Sequence, residues 1–227
     1  MLFWLFSPLL AVAHLADLAW NPYFISSGSM KPTLLVGDYL NVVQSDESFA
    51  RGEVLVFRHP LNDQHYVKRL IGMPGDTIQM RNGVLYINEV SVEVEAIDPF
   101  VEVFVSQGSL GAWPRCNNGP VAYDEHCEKG QQIETLPNGT WYQTLDIGNT
   151  SMDNTLNITV PEGHFFFMGD NRDNSADSRF SQSAGGMGLV PVENVVGRAK
   201  VVLFSASGPS FLAFWTWRSD RYFVGIN

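Results

Sequence analysis

Ser27, Gly28 and Ser29 set two hydroxyls around a glycine, and Met30-Lys31-Pro32-Thr33 follow at once. A serine hydroxyl is a poor nucleophile at its own pKa. One that does chemistry needs a base within hydrogen-bond reach and donors for the oxyanion it creates. Gly28 lets the backbone come close, and Pro32 stiffens the exit. The same residues also compose an ordinary turn after a helix, so the base decides between the two readings.

Four lysines compete for that role. Lys31 is two residues from Ser29 and precedes a proline, which makes a reach back to the hydroxyl difficult. Lys129 lies beside Glu128 in a polar stretch and is expected in solvent, and a strand lysine such as Lys200 usually points outward. Lys68 differs, because alternation along Tyr66-Val67-Lys68-Arg69-Leu70-Ile71 puts it on a mostly apolar face with Tyr66 and Leu70. Burial disfavours the charged amine. Bringing its pKa from ~10.4 to ~8 needs roughly 3 kcal/mol, which a dry pocket supplies, and a neutral amine then acts as a general base. A strand lysine that snorkels to solvent is the competing reading. No histidine context suggests a triad, and neither a G-x-S-x-G elbow nor an S-x-x-K motif is present.

The elements that must hold these groups read as short strands. Asp38 to Val43, Glu53 to Arg58, His65 to Ile71, Thr77 to Met80, Val84 to Asn88, Phe165 to Met168 and Val195 to Phe204 are rich in β-branched and aromatic residues. Asn82-Gly83 and Asn138-Gly139 mark tight hairpins. The expected fold is mainly β. A discontinuous antiparallel core takes residues 22-90 and 161-208, and a more polar segment, 91-160, forms an inserted β subdomain. Residues 1-21 are apolar except for Ser7, His14, Asp17 and Asn21, and are expected to form one N-terminal transmembrane helix, an uncleaved anchor without flanking positive charge. Residues 209-227 carry Phe, Trp and Tyr beside Arg218 and Arg221, the mixture found at a lipid interface, and read either as an exposed membrane-proximal tail or as a core-capping helix.

Composition narrows the function. With 45% hydrophobic and 17% charged residues over 227 positions, the chain can bury a core. A net charge of -10 and no basic patch argue against nucleic acid as a partner. Cys116 and Cys127 lack a CxxC spacing and neighbouring His ligands, which argues against a metal site. They either close a disulfide in an oxidising compartment or stand as free thiols, and the first is favoured.

Taken together, the blocks Ser27 to Asp38, Arg51-Gly52-Glu53-Val54, Tyr66 to Asp76 and Gly169 to Arg179 resemble the bacterial type I signal peptidases. The resemblance implies a signal-peptidase-like fold, a membrane-anchored serine endopeptidase that needs no cofactor or metal, and exported preproteins and membrane lipid as partners. It also implies a single-pass protein of the cytoplasmic (inner) membrane, with its catalytic domain on the outer, periplasmic face. Cleavage is expected after small residues of Ala-x-Ala type.

Carried over by residue, Ser29 matches the nucleophile and Lys68 the base. Ser27 matches an oxyanion donor, and Ser175 the hydroxyl that orients the amine. Ile25, Ser26, Tyr66 and Val67 match the extended edges that clamp substrate, with Leu34 near the pocket floor. Arg69, Asp170, Asn174, Asp177 and Arg179 match structural support. Ser26 stands where the family commonly has proline, and Phe180 to Gly188 is longer than in the shortest relatives. A specialised Ser-Lys maturation peptidase and a non-catalytic peptide-binding β scaffold on a membrane anchor are the alternatives.

Overall fold

The computed structural model describes residues 22–44, 48–108, 111–184, 186–208 and 212–226. The expected anchor at 1-21 lies outside the described residues. Among the described residues no helix is long and apolar enough to cross a membrane.

Among the described residues fifteen strands follow one another: β1 (Tyr23–Phe24), β2 (Asp38–Val43), β3 (Val54–Arg58), β4 (His65–Gly72), β5 (Thr77–Arg81), β6 (Val84–Ile87), β7 (Val90–Ser91), β8 (Glu93–Val103), β9 (His126–Thr135), β10 (Trp141–Asp146), β11 (Ile158–Thr159), β12 (His164–Met168), β13 (Val190–Pro191), β14 (Val195–Ser205) and β15 (Val224–Gly225). They form an eight-stranded sheet in the order β1-β2-β14-β3-β4-β12-β13 with β15 beside β14, a three-stranded sheet β10-β9-β8, and a four-stranded sheet β11-β5-β6-β7. All the strand pairings are antiparallel.

The large sheet is buried on both faces at its centre, and the sequence shows why. Successive side chains of a strand point to opposite faces. On β12, Phe165 and Phe167 enter a cluster with Leu55, Phe57, Leu70 and Val190. Phe166 and Met168 enter the opposite cluster, with Ile71, Ile78, Leu85, Leu136, Tyr142 and Val160. That second cluster draws side chains from all three sheets, so the ribbon of β9 and β10 packs on the strand that carries Lys68. Gly72 lets β4 approach β12 and β5 closely, since a Cβ there would stand 2.8 Å from Phe166 and 2.9 Å from Ile78.

The two Asn-Gly sites build different turns. Asn82 and Gly83 have φ of 49° and 79° between the paired residues Arg81 and Val84, the left-handed pair that a two-residue hairpin needs. At the second site Pro137 fixes its own φ near −65°, so only Gly139 is left-handed, at 82°. Leu136 and Thr140 close a three-residue loop there, with Leu136 N donating to Thr140 O at 2.8 Å.

Lys129 is a correction. It lies on β9 rather than in a polar turn, is 1% exposed, and pairs with Glu102 of β8. Its partner is 27 residues away, and only the β8–β9 register brings them together.

Candidate active site

Ser29 lies in the turn between β1 and β2, where Lys31 N donates to Gly28 O at 3.3 Å and Leu34 N to Met30 O at 2.9 Å. Asn171 holds this turn from the other side. Its backbone N–H donates to Ser29 O at 3.0 Å and its side-chain amide to Gly28 O at 2.9 Å. The nucleophile candidate is thus fixed by the loop that follows β12.

Lys68 arrives from β4, 3% exposed, with Nζ 2.5 Å from Ser29 Oγ. Burial pushes the amine down from its ordinary 10.5 to about 8. The carboxylates of Asp177 and Asp170 pull the other way without reversing this, and Arg179 adds to the lowering. Ser27 Oγ is 3.2 Å from Ser29 Oγ, on an exposed residue at the mouth of the site.

Ser175 is buried near Gly169, where a Cβ would stand 2.2 Å from Ser175 Oγ and 2.5 Å from Ser29 O. Glycine at 169 is therefore required by space. The Ser175 hydroxyl makes no hydrogen bond to the Lys68 amine here: it lies toward Asp177, whose carboxyl it helps to hold down, and Lys68 Nζ is engaged by Ser29 instead.

Charged pairs lock this corner. Arg69, next to Lys68, donates from Nε and Nη2 to the two oxygens of Asp170 at 2.9 and 2.8 Å and from Nη1 to Gly52 O at 2.7 Å. Thr33 Oγ1, four residues past Ser29, donates to Asp170 at 2.5 Å. Asp177 binds Arg179 through two bonds of 2.8 and 2.9 Å and accepts from Gly169 N at 3.0 Å. Burial alone would raise the Asp177 pKa. Arg179 and the Gly169 N–H outweigh it and hold the carboxyl below its ordinary value.

Four residues with no role assigned by sequence complete the lock. Asn171 is one. Arg69 also stacks on the Tyr142 ring at 4.1 Å, Tyr142 donates to Glu134 at 3.0 Å, and Arg172 donates to the same carboxylate at 2.5 Å. Arg172 sits in the Gly169 to Arg179 block, but Glu134 and Tyr142 lie on separate strands, and no local pattern marks them.

A cleft of about 440 Å³ opens over Ser29 and Lys68. It is lined by Ile25, Ser26 and Ser27 on one side, Tyr66 and Val67 on the other, and by Asn174 and Ala176. The β4 stretch from His65 to Lys68 pairs with β3 alone, because β12 begins its pairing at Arg69. One edge of β4 therefore faces the cleft with unpaired backbone, opposite the segment 24–27. Ile25, Met30, Leu34 and Val67 share one apolar cluster. Leu34 is fully buried beneath the cleft wall, and Tyr66 packs toward Phe57 and His59.

The Cys116–Cys127 disulfide is present. A serine, a buried amine of lowered pKa and an adjacent hydroxyl can together perform acyl transfer.

Comparison with known proteins agrees with this chemistry. The family profile described as "Signal peptidase, peptidase S26" matches residues 1–204. Signal peptidase I of Rickettsia typhi is 32% identical over 220 residues, covering 83% of this chain and 73% of the relative, and that of Rickettsia conorii matches to the same extent. A solved signal peptidase I from Enterococcus faecalis V583 is 28% identical, with 68% of this chain and 98% of that chain covered. Its TM-score of 0.35 is too low to support an argument about the fold. With a matched profile over most of its length and relatives this similar, the chain belongs to the signal peptidase family, peptidase S26.

Proposed function

We propose that the protein is a serine endopeptidase that removes signal peptides from exported preproteins, with Ser29 as nucleophile and Lys68 as general base. The observation that carries this is the 2.5 Å contact of a buried, pKa-lowered amine with a serine hydroxyl.

Neutral Lys68 takes the Ser29 proton as the hydroxyl attacks the scissile carbonyl. Ser27 and the Ser29 backbone N–H receive the oxyanion. The lysine then protonates the leaving amine, and a water activated by the same amine hydrolyses the acyl-enzyme. Ser175, buried beside Gly169 and toward Asp177, orients the amine once the Ser29 proton has moved. Arg69, Asp170, Asn174, Asp177 and Arg179 support the site. No step calls for a cofactor.

Substrate binds as an added strand between residues 24–27 and the open edge of β4. We read Ile25 and Val67, which share an apolar cluster with Leu34, as walls of small pockets, hence cleavage after an Ala-x-Ala site. We read residues 22-90 and 161-208 as the catalytic core and 91-160 as an insertion. The 1-21 segment is the single-pass anchor in the cytoplasmic membrane, with the catalytic core on its outer face. A disulfide fits an oxidising compartment on that face. Phe214, Trp215 and Phe223, each more than two-thirds exposed, form a surface suited to lipid.

The test is incubation of the full chain in detergent with a preprotein carrying an Ala-x-Ala site, followed by N-terminal sequencing of the product. Removing one oxyanion donor typically costs about 10²–10³ in rate. Ser27→Ala is therefore expected to lower kcat by that factor with KM little changed; full activity in this variant would remove the role assigned to Ser27.

A further inference from the structure

Lys31 follows the nucleophile by two residues and is spent on something other than catalysis. It is 4% exposed, and its stem passes close under Gly28, where a Cβ would lie 3.3 Å from Lys31 Cε. Nζ donates to Glu102 Oε2 at 2.5 Å and to Gln107 Oε1 at 2.7 Å. Glu102 also accepts from Lys129 and, at 2.7 Å, from Gln107. A buried ionic cluster thus ties the turn that carries Ser29 to the β8–β9 ribbon.

Gln107 passes the constraint on. It exchanges two backbone hydrogen bonds with Ala112, of 2.8 and 3.1 Å, and Ala112 and Trp113 line the cleft. Gly108 brings the same hairpin against the turn, since a Cβ there would stand 2.5 Å from Val36 Cγ1. Trp113 is half-exposed and leans on Phe104, with ring centroids 5.1 Å apart. Arg115 donates to Asp173 O, and the Cys116–Cys127 bridge closes the loop behind it. These tethers bring Trp113 to the cleft from the Lys31 turn and from Asp173, neither of which belongs to the two edges assigned to the residues before the cut.

We infer that Trp113 is a specificity-determining residue for the substrate segment just after the scissile bond, and that the Lys31–Glu102–Gln107–Lys129 cluster positions it. The inference rests on the Ser29–Lys68 peptidase reading. Trp113 offers a wide, rigid apolar face, so an apolar residue after the cut gains contact and an acidic one does not.

The test uses the full chain in detergent and two preprotein series with a common Ala-x-Ala site, one varied after the cut and one varied before it. Trp113→Ala is expected to raise KM about tenfold for substrates with an apolar residue after the cut. Its preferences before the cut stay as in wild type, and Trp113→Phe recovers most of the loss. Lys31→Met is expected to give the same change in KM while the pH midpoint of kcat stays at the wild-type value. Unchanged selectivity after the cut in Trp113→Ala, or equal change in both series, overturns the role of Trp113. A shifted pH midpoint in Lys31→Met overturns the positioning role and assigns Lys31 to the dyad. A wild-type chain that cuts nothing overturns the peptidase reading itself, a separate outcome from normal cleavage with unaltered selectivity.

Discussion

Replacing Lys68 with methionine is expected to lower turnover by on the order of 10⁴-fold or more while the fold persists, because the variant loses both the base and the proton donor for the leaving amine. Methionine fills a similar volume in the same apolar surroundings without a charge to bury. The variant should therefore be at least as stable as wild type at neutral pH. The wild-type pH profile carries the matching signature. The base must be neutral to act, and its pKa is about 8. Activity should rise about tenfold per unit of pH below that value and level off above it. The stability of the wild type should move in the same sense. In the folded state the amine titrates near 8 rather than 10.5, so between those values the unfolded chain binds more protons, and Lys68 makes folding more favourable as pH rises through the window. A flat profile between pH 6 and 9, measured as kcat/KM on one preprotein, would sink the role of Lys68.

The second large effect concerns the corner beneath the dyad. Arg69 and Asp170 are each 1% exposed and joined by two hydrogen bonds. Breaking a buried pair from one side leaves a bare charge, which costs about 3–5 kcal/mol. Arg69→Met is therefore expected to lower unfolding stability in urea by that amount, with activity falling as Thr33 and the Ser29 turn lose their anchor. Adding Asp170→Leu removes the stranded charge, so the double variant should be more stable than Arg69→Met alone. Additive losses in the two single variants would mean the side chains act separately.

Much of this was legible in the sequence. β2 runs over the residues its alternation marks, and β3, β4, β5, β6 and β14 differ from expectation by one residue at an end. On its strand pattern alone Lys68 reads as a lysine that snorkels to solvent, and only the four blocks that resemble type I signal peptidases pair it with Ser29. Hidden from sequence were the contacts set by register between distant strands. Glu102 reaches Lys129 through the pairing of β8 with β9 and Lys31 only where that ribbon meets the Ser29 turn, and Glu134, Tyr142 and Arg172 meet only where the ribbon crosses β4. For that reason Lys129 reads as a solvated lysine when it is a buried one. Lys31 reads as a residue too constrained to reach Ser29, and its stem in fact runs away from the hydroxyl toward the ribbon.

The most direct test of the central claim is cleavage of an Ala-x-Ala preprotein in detergent by wild type and by Ser29→Ala, with both proteins shown to be folded by their urea transitions. The predicted result is a cut after the second alanine by wild type and none by the variant. Cleavage of the same bond by folded Ser29→Ala would contradict the assignment of Ser29 and, with it, the dyad.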